Sequence, residues 1–190
     1  KRIEKYSSSS SVDRKKIKVH KIYLIVSILL GMILAIGMPF FNEPDGQYHY
    51  VASSNMVNLS NDISAYGEVD IGTGIDQQIK AYQQGGYFQK YYLTKIVEMP
   101  MSKQPREGVT KNPNAISFIF WGHQIPALGL WIGHEIYPSI GMMITTARLF
   151  SVVMNSLLMF LIIKFVKKGK MIFVALSLTP VTLNSFASLT

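Results

Sequence analysis

Cysteine is absent from the sequence. Its absence excludes disulfides, thiolate zinc sites and a cysteine nucleophile. There is also no P-loop, no dinucleotide fingerprint and no serine-hydrolase elbow. No segment repeats. Charge is scarce, at 16% of residues, and is missing altogether from Ile22 to Phe41. At 1.5 Å per residue that uncharged apolar run covers about 30 Å, the thickness of a bilayer's hydrocarbon core. It is too long for a signal peptide's apolar core, and bulky Met38-Pro39-Phe40-Phe41 offers no small-residue cleavage site.

Nearly half the residues are hydrophobic (48%), and they fall in blocks, which points to membrane helices instead of one soluble core. The net charge of +8 raises the question of nucleic acid, but its distribution argues otherwise. Lys1, Arg2, Lys5, Arg14, Lys15, Lys16, Lys18 and Lys21 all precede the first apolar run. Lys164, Lys167, Lys168 and Lys170 sit between two later ones. From Asn42 to Ala147 the chain holds six Lys/Arg against nine Asp/Glu. Basic flanks inside and an acidic loop outside is the positive-inside pattern, not a nucleic-acid stripe. The partner this implies is the lipid bilayer.

The expected fold class is an all-α integral membrane protein with three transmembrane helices and a large extracytoplasmic first loop containing interfacial helices. A basic cytoplasmic tail occupies 1–21, with Ser7 to Ser11 polar enough to stay disordered. Spans follow at 22–41, 145–166 and 171–190, with a cytoplasmic turn at 167–170. The loop, 42–144, carries juxtamembrane helices at 45–59 and 115–137. In the first of these, Val51, Ala52, Asn55, Met56 and Leu59 recur at helical spacing. Asn58-Leu59-Ser60 also fits a glycosylation sequon. Tyr82, Tyr87, Phe88, Tyr91 and Tyr92 suit either a headgroup-level belt or a packed surface domain. The stretch 115–137 is apolar but contains His123, Gln124, Pro126, His134 and Glu135. If it crossed the membrane, Lys164 to Lys170 would lie outside, so it is expected to lie in the interface, broken near Pro126. Pro180 is expected to kink the third span. The chain lacks an initiator Met and stops at Thr190 inside an apolar stretch, which reads as a piece of a longer protein.

The chemistry-bearing residues cluster where the first span ends, in Glu43-Pro44-Asp45-Gly46-Gln47-Tyr48-His49. Asp45 has two readings. It is either an N-cap for the following helix or a general base or metal ligand facing a cavity at the membrane surface. On a helix Asp45 and His49, at i and i+4, share a face. They could flank one substrate or a divalent cation, or the carboxylate could hold the histidine's tautomer. Glu43 adds a second carboxylate, and two close carboxylates divide acid and base roles. Arg148, near the outer end of the second span, is either an interface anchor or a phosphate-binding guanidinium. His123 and His134 are eleven residues apart with Pro126 between them, which argues against a zinc site. No cofactor is fixed by the residues; a divalent cation is the one the chemistry admits.

The run from Glu43 to His49 resembles the Pro-Asp-Glu-Pro-x-His signature that follows the first span in bacterial membrane proteins of the domain-of-unknown-function 2142 family. Ile125-Pro126-Ala127-Leu128-Gly129 and Ala147-Arg148-Leu149-Phe150-Ser151 resemble that family's Pro-Ala-x-x-Gly and Ala-Arg-Leu segments. Leu178-Thr179-Pro180 resembles its proline-bearing third span. The resemblance covers residues 22 to 190, the N-terminal part of such proteins. Gly46 departs from it, standing where the family has Glu. The family is similar in layout to GT-C glycosyltransferases, multi-span enzymes that use polyprenyl-phosphate sugars and an acidic residue in the first external loop. The resemblance implies a multi-pass plasma-membrane protein with Asp45 as catalytic base. It aligns His49 and Arg148 with the motif positions. Their roles, like that of Glu43, are read from chemistry: substrate binding. A polysaccharide acceptor of the cell envelope would be the other substrate. The competing expectation is a non-catalytic membrane protein that scaffolds or transports envelope components.

Overall fold

The computed structural model describes residues 18–40, 46–59, 86–96 and 118–189. The basic tail up to residue 17, the stretches 60–85 and 97–117, and Glu43, Asp45 and Tyr82 lie outside the described residues. Every regular element among the described residues is helical. The helices are α1 (Val19–Gly37), α2 (Gly46–Met56), α3 (Phe118–Ile136), α4 (Ile140–Phe165), α5 (Lys170–Ser177) and α6 (Pro180–Phe186). A π-helical turn, Gln89–Leu93, lies between α2 and α3.

Two helices, α1 and α4, are long and apolar enough to cross a bilayer. Only 22% of the apolar stretch of α1 and 33% of that of α4 is buried within the protein. A soluble core helix would be mostly buried. Instead Ile22, Ile25, Leu29, Ile33 and Ile36 of α1 and Leu158, Leu161 and Phe165 of α4 are exposed. The inward stripe of α1 is Tyr23, Ser27, Gly31 and Ala35, one residue per turn and small after the first. This apolar-outside, small-and-polar-inside pattern points to a membrane location.

Small residues set how closely the helices approach. A Cβ on Gly31 would lie 2.5 Å from Val152 Cγ1, and the Ser27 and Ser156 hydroxyls bond at 2.6 Å. The pairs 31–152 and 27–156 run in opposite senses, so α1 and α4 are antiparallel. Their lysine-bearing ends therefore coincide: Lys18 and Lys21 with Lys164, Lys167, Lys168 and Lys170. His20 meets Phe160 edge-on at this end. Helices α3 and α4 form an antiparallel hairpin through Tyr137–Ser139. Gly129 and Gly133 give it its closeness, since added Cβ atoms would meet Ala147 Cα at 2.5 Å and Met143 Cα at 2.8 Å. Ser139 caps α4 by accepting from the Met142 amide at 3.3 Å.

Two expectations change, and one open alternative is decided. Helix α3 is continuous through Pro126. A proline removes one donor and crowds the carbonyl four residues earlier. That residue is Gly122, exposed and with open space around it, so the helix absorbs the defect there. The third apolar stretch is two short helices, not one kinked helix. Pro180 supplies no N–H to the Leu176 carbonyl; Thr179 Oγ1 (2.9 Å) and Thr182 Oγ1 (3.0 Å) donate to it instead. Finally, Tyr91 is buried and Tyr87 and Tyr92 half-buried around Phe40, while Phe88 is exposed. The packed reading of this aromatic group holds for those three tyrosines. The Tyr92 hydroxyl bonds Thr145 at 2.9 Å, which ties the π-helical turn to α4.

Candidate functional site

Helix α2 starts at Gly46, within the motif itself. Its most buried positions are Gly46, Tyr50, Ala52, Ser53 and Ser54. Positions 46, 50, 53 and 54 follow i, i+4, i+7, i+8, one helical face. Of the set read at helical spacing, Ala52 is buried while Val51, Asn55, Met56 and Leu59 are half-buried, with Val51 and Leu59 packed against the hydrophobic core. Tyr50 anchors α2 in the hydrophobic core, and small Ser53 and Ser54 complete the buried face. The helix ends in a Schellman arrangement: Leu59 N–H donates to Ser54 O at 2.8 Å and Asn58 N–H to Asn55 O at 3.2 Å. Asn58 is left-handed, at φ 57°, as this closure requires. The asparagine of the sequon thus terminates the helix that carries the site.

This framework carries His49 to His123, 74 residues away in sequence. His49 Nδ1 and His123 Nε2 are 2.7 Å apart. The rings are 22° from parallel with centroids 5.0 Å apart. That separation matches the N···N distance plus the two ring radii, so the nitrogens point at each other nearly in plane. The geometry is that of an N–H···N hydrogen bond. Tyr48 stands edge-on to both rings, at 5.5 Å from His49 and 6.2 Å from His123. His123 is 6% exposed. Because the nitrogens face each other and not a common point, no metal centre is assigned to the pair. Among the described residues there is no group of three or more His, Asp or Glu able to hold a metal ion.

His123 was not predicted as a partner of His49. The sequence set it beside His134, which lies three turns along α3 and contacts Glu135 at 3.5 Å instead. Gly129 and Gly133, four apart, were the signal for the α3–α4 hairpin, because small residues at that spacing mark close helix contact. No local signal names the His49–His123 pairing.

Arg148 lies on α4, fully buried. Its Nη1 donates to Met38 O at 2.9 Å and its Nη2 to Pro39 O at 3.0 Å. The guanidinium lies over the Phe40 ring, 5.8 Å from its centroid. These carbonyls belong to the C-terminal exit of α1, where the helix dipole is negative and a cation is favoured. The structure therefore brings Arg148 to the chain leading into the motif. Glu43 and Asp45 lie outside the described residues.

No family model, curated protein or solved structure matches the chain. The resemblance in the sequence therefore stands on its short motifs alone.

Proposed function

We propose that this chain is the N-terminal part of a polytopic plasma-membrane protein, a GT-C-like glycosyltransferase. It would move a sugar from a polyprenyl phosphate to a hydroxyl of a cell-envelope polysaccharide. The N-terminus is cytoplasmic in this reading, and α5 and α6 together make the third span. The antiparallel packing of α1 and α4 supports that topology, because it gathers the lysines at one end. The motif follows the opposite end of α1.

Asp45 takes the acceptor proton as its oxygen attacks the anomeric carbon, at the outer surface. Glu43 and His49 bind and orient the substrates. The observation that carries the reading is the His49–His123 contact at 2.7 Å, which draws a motif residue into a partly buried polar pair between α2 and α3. A purely capping motif has no use for that pair. Arg148 was expected to grip the lipid phosphate. Its bonds to Met38 and Pro39 support a positioning role instead, and phosphate contact would require it to leave those carbonyls. The same bonds favour the second reading, a non-catalytic scaffold or transporter of envelope components, in which Arg148 is wholly structural.

The test is transfer by the full-length protein in proteoliposomes, with and without chelator. Asp45→Asn retains a helix-capping oxygen but loses the proton-accepting charge. The enzyme reading expects normal insertion and a loss of roughly 10²-fold or more in rate. Wild-type transfer by this variant would leave the non-catalytic reading ahead.

A further inference from the structure

Antiparallel packing of α1 and α4 carries an electrostatic cost at one end, where Lys18, Lys21, Lys164, Lys167, Lys168 and Lys170 gather. Like charges brought within a Debye length, about 8 Å in physiological salt, repel one another. Lys18 and Lys21 from α1, Lys164 from α4 and Lys170 from α5 all lie within electrostatic reach of one side chain, His20. The Lys170 ammonium donates to the Lys164 carbonyl at 3.2 Å, which ties the two lysines together. Among the described residues the one carboxylate side chain is that of Glu135, beside the Tyr137–Ser139 turn at the opposite end. The tail over 1–17 holds six Lys/Arg against two Asp/Glu and adds charge of the same sign. The positive pole stands on apolar surface. The α1–α4 contact line runs through His20 and Ser27 on one helix and Ser156 and Phe160 on the other. Lys21 and Lys164 each lie about a quarter-turn round from that line. In an antiparallel pair, offsets of the same sense lead to the same side, so the two lysines flank one seam. Lys18, Ile22 and Ile25 on α1, and Leu157, Leu161 and Lys164 on α4, follow i, i+4, i+7 spacing and are all exposed. Met171 and Ile172 are exposed directly after Lys170.

We propose that the basic end of the α1–α4 pair binds the headgroup phosphate of an anionic phospholipid, with Lys21, Lys164 and Lys170 as its ligands and Lys18, Lys167 and Lys168 at the rim. The proposal rests on the membrane reading of α1 and α4 and is independent of the transferase reading. Cations at the rim with apolar stripes beneath match an amphiphile: the phosphate meets the ammonium groups and the acyl chains lie along the helices. A free anion would use the lysines but not the stripes. One phosphate neutralises ammonium groups from both helices, so it favours the packed pair over the separated one. Each lysine near an anionic membrane surface contributes about fivefold to binding.

The experiment takes the full-length protein in detergent micelles and counts bound lipid by native mass spectrometry. Phosphatidylglycerol and phosphatidylcholine with the same acyl chains compete for it. Phosphatidylglycerol is expected to be retained in preference and to raise the melting temperature. Lys21→Gln and Lys164→Gln remove a charge and keep a polar side chain; each is expected to lower the preference about fivefold. Lys21→Arg and Lys164→Arg are expected to keep it, because a guanidinium also binds phosphate. Lys167→Gln and Lys168→Gln are expected to cost clearly less. Lys95→Gln is expected to cost nothing, since the neighbouring Ile96 N–H donates to Pro138 O at 2.9 Å, at the opposite end. Equal losses at Lys21, Lys164, Lys167 and Lys168 would mean diffuse attraction and overturn the site. So would inorganic phosphate alone raising the melting temperature as much at matched ionic strength. Equal retention of the two lipids overturns the site and leaves the membrane reading standing. A protein that stays in solution without detergent and associates with vesicles of neither lipid overturns both.

Discussion

Arg148 and Pro39 are joined across two helices: Nη2 of the arginine donates to the Pro39 carbonyl at 3.0 Å, beside the matching bond from Nη1 to Met38. A charged group on α4 thereby fixes where the chain turns after α1. Hydrogen bonds to charged groups are worth about 1.5–3 kcal/mol each, and losing one partner of a buried group costs its desolvation as well. Arg148→Ala should therefore lower thermal stability in detergent by several kcal/mol. Arg148→Lys should recover only part of it, since an ammonium is a point charge and cannot span two carbonyls as a fork does. A lysine variant with wild-type melting but a raised KM for the lipid donor would instead return Arg148 to phosphate binding.

The close face of the α3–α4 hairpin gives a second prediction. A Cβ at Gly129 would lie 2.5 Å from the Ala147 Cα, and backbone cannot swing aside as a side chain can. Gly129→Val should force the helices apart and destabilise by about 1–3 kcal/mol, or more if the hairpin cannot shift. Gly122 is the internal control, because nothing lies within 4 Å of its added Cβ. Gly122→Ala should be neutral, or stabilising by up to about 1 kcal/mol through helix propensity. Thermal or chemical unfolding of both variants checks the contrast. Equal effects would show that glycine at 129 is not there for closeness.

What could be read from the sequence follows what is local. The apolar run from Ile22 to Phe41 and the helix α1 overlap closely, because hydropathy and length alone mark such a segment. A helix over Asp45 to Leu59 was legible from the helical spacing of Val51, Ala52, Asn55, Met56 and Leu59, and α2 is seen over Gly46–Met56. The buried face of α2 was not legible. Ser53 and Ser54 are small and polar, and only the packed partner reveals that they face inward. The break at Pro180 was visible as a proline, whereas its severity depends on Thr179 and Thr182 taking the Leu176 carbonyl. Pro126 was visible too, and the exposed Gly122 before it made the same residue harmless. His49 and His123 are separated by 74 residues, so their contact is a property of α2 lying on α3 and leaves no local trace.

The threonines at the α5–α6 break support a third prediction. Thr179→Val with Thr182→Val is close to isosteric and removes both hydroxyls from the Leu176 carbonyl, leaving it the Thr179 amide at 3.3 Å, and also removes the Thr179 oxygen that accepts from the Thr182 amide at 3.4 Å. Side-chain hydrogen bonds in membrane helices average about 0.6 kcal/mol, with values near 2 at the upper end. The double variant should lose about 1–3 kcal/mol in an unfolding measurement. Thr182→Val alone should lose much less, because the Thr179 hydroxyl still reaches the carbonyl and still caps α6. Additive losses would mean that the two hydroxyls act separately.

The orientation of the protein makes the last prediction, and the absence of cysteine makes it easy to test. Antiparallel packing of α1 and α4 sets Lys168 at the same end as Lys18, independently of any membrane. The charge rule then assigns that end to the cytoplasm, because lysines near span ends resist export. Single cysteines at Ser9, Lys168 and Ser102 report on the tail, the basic turn and the loop. A membrane-impermeant maleimide added to intact cells should label Ser102→Cys alone, and all three should react once the cells are opened. Labelling at Ser9→Cys and Lys168→Cys together would invert the protein in the membrane while leaving the helix packing correct. Labelling at only one of those two would contradict the α1–α4 pairing itself, since the Ser27–Ser156 bond and the Gly31–Val152 contact require both basic ends on one side.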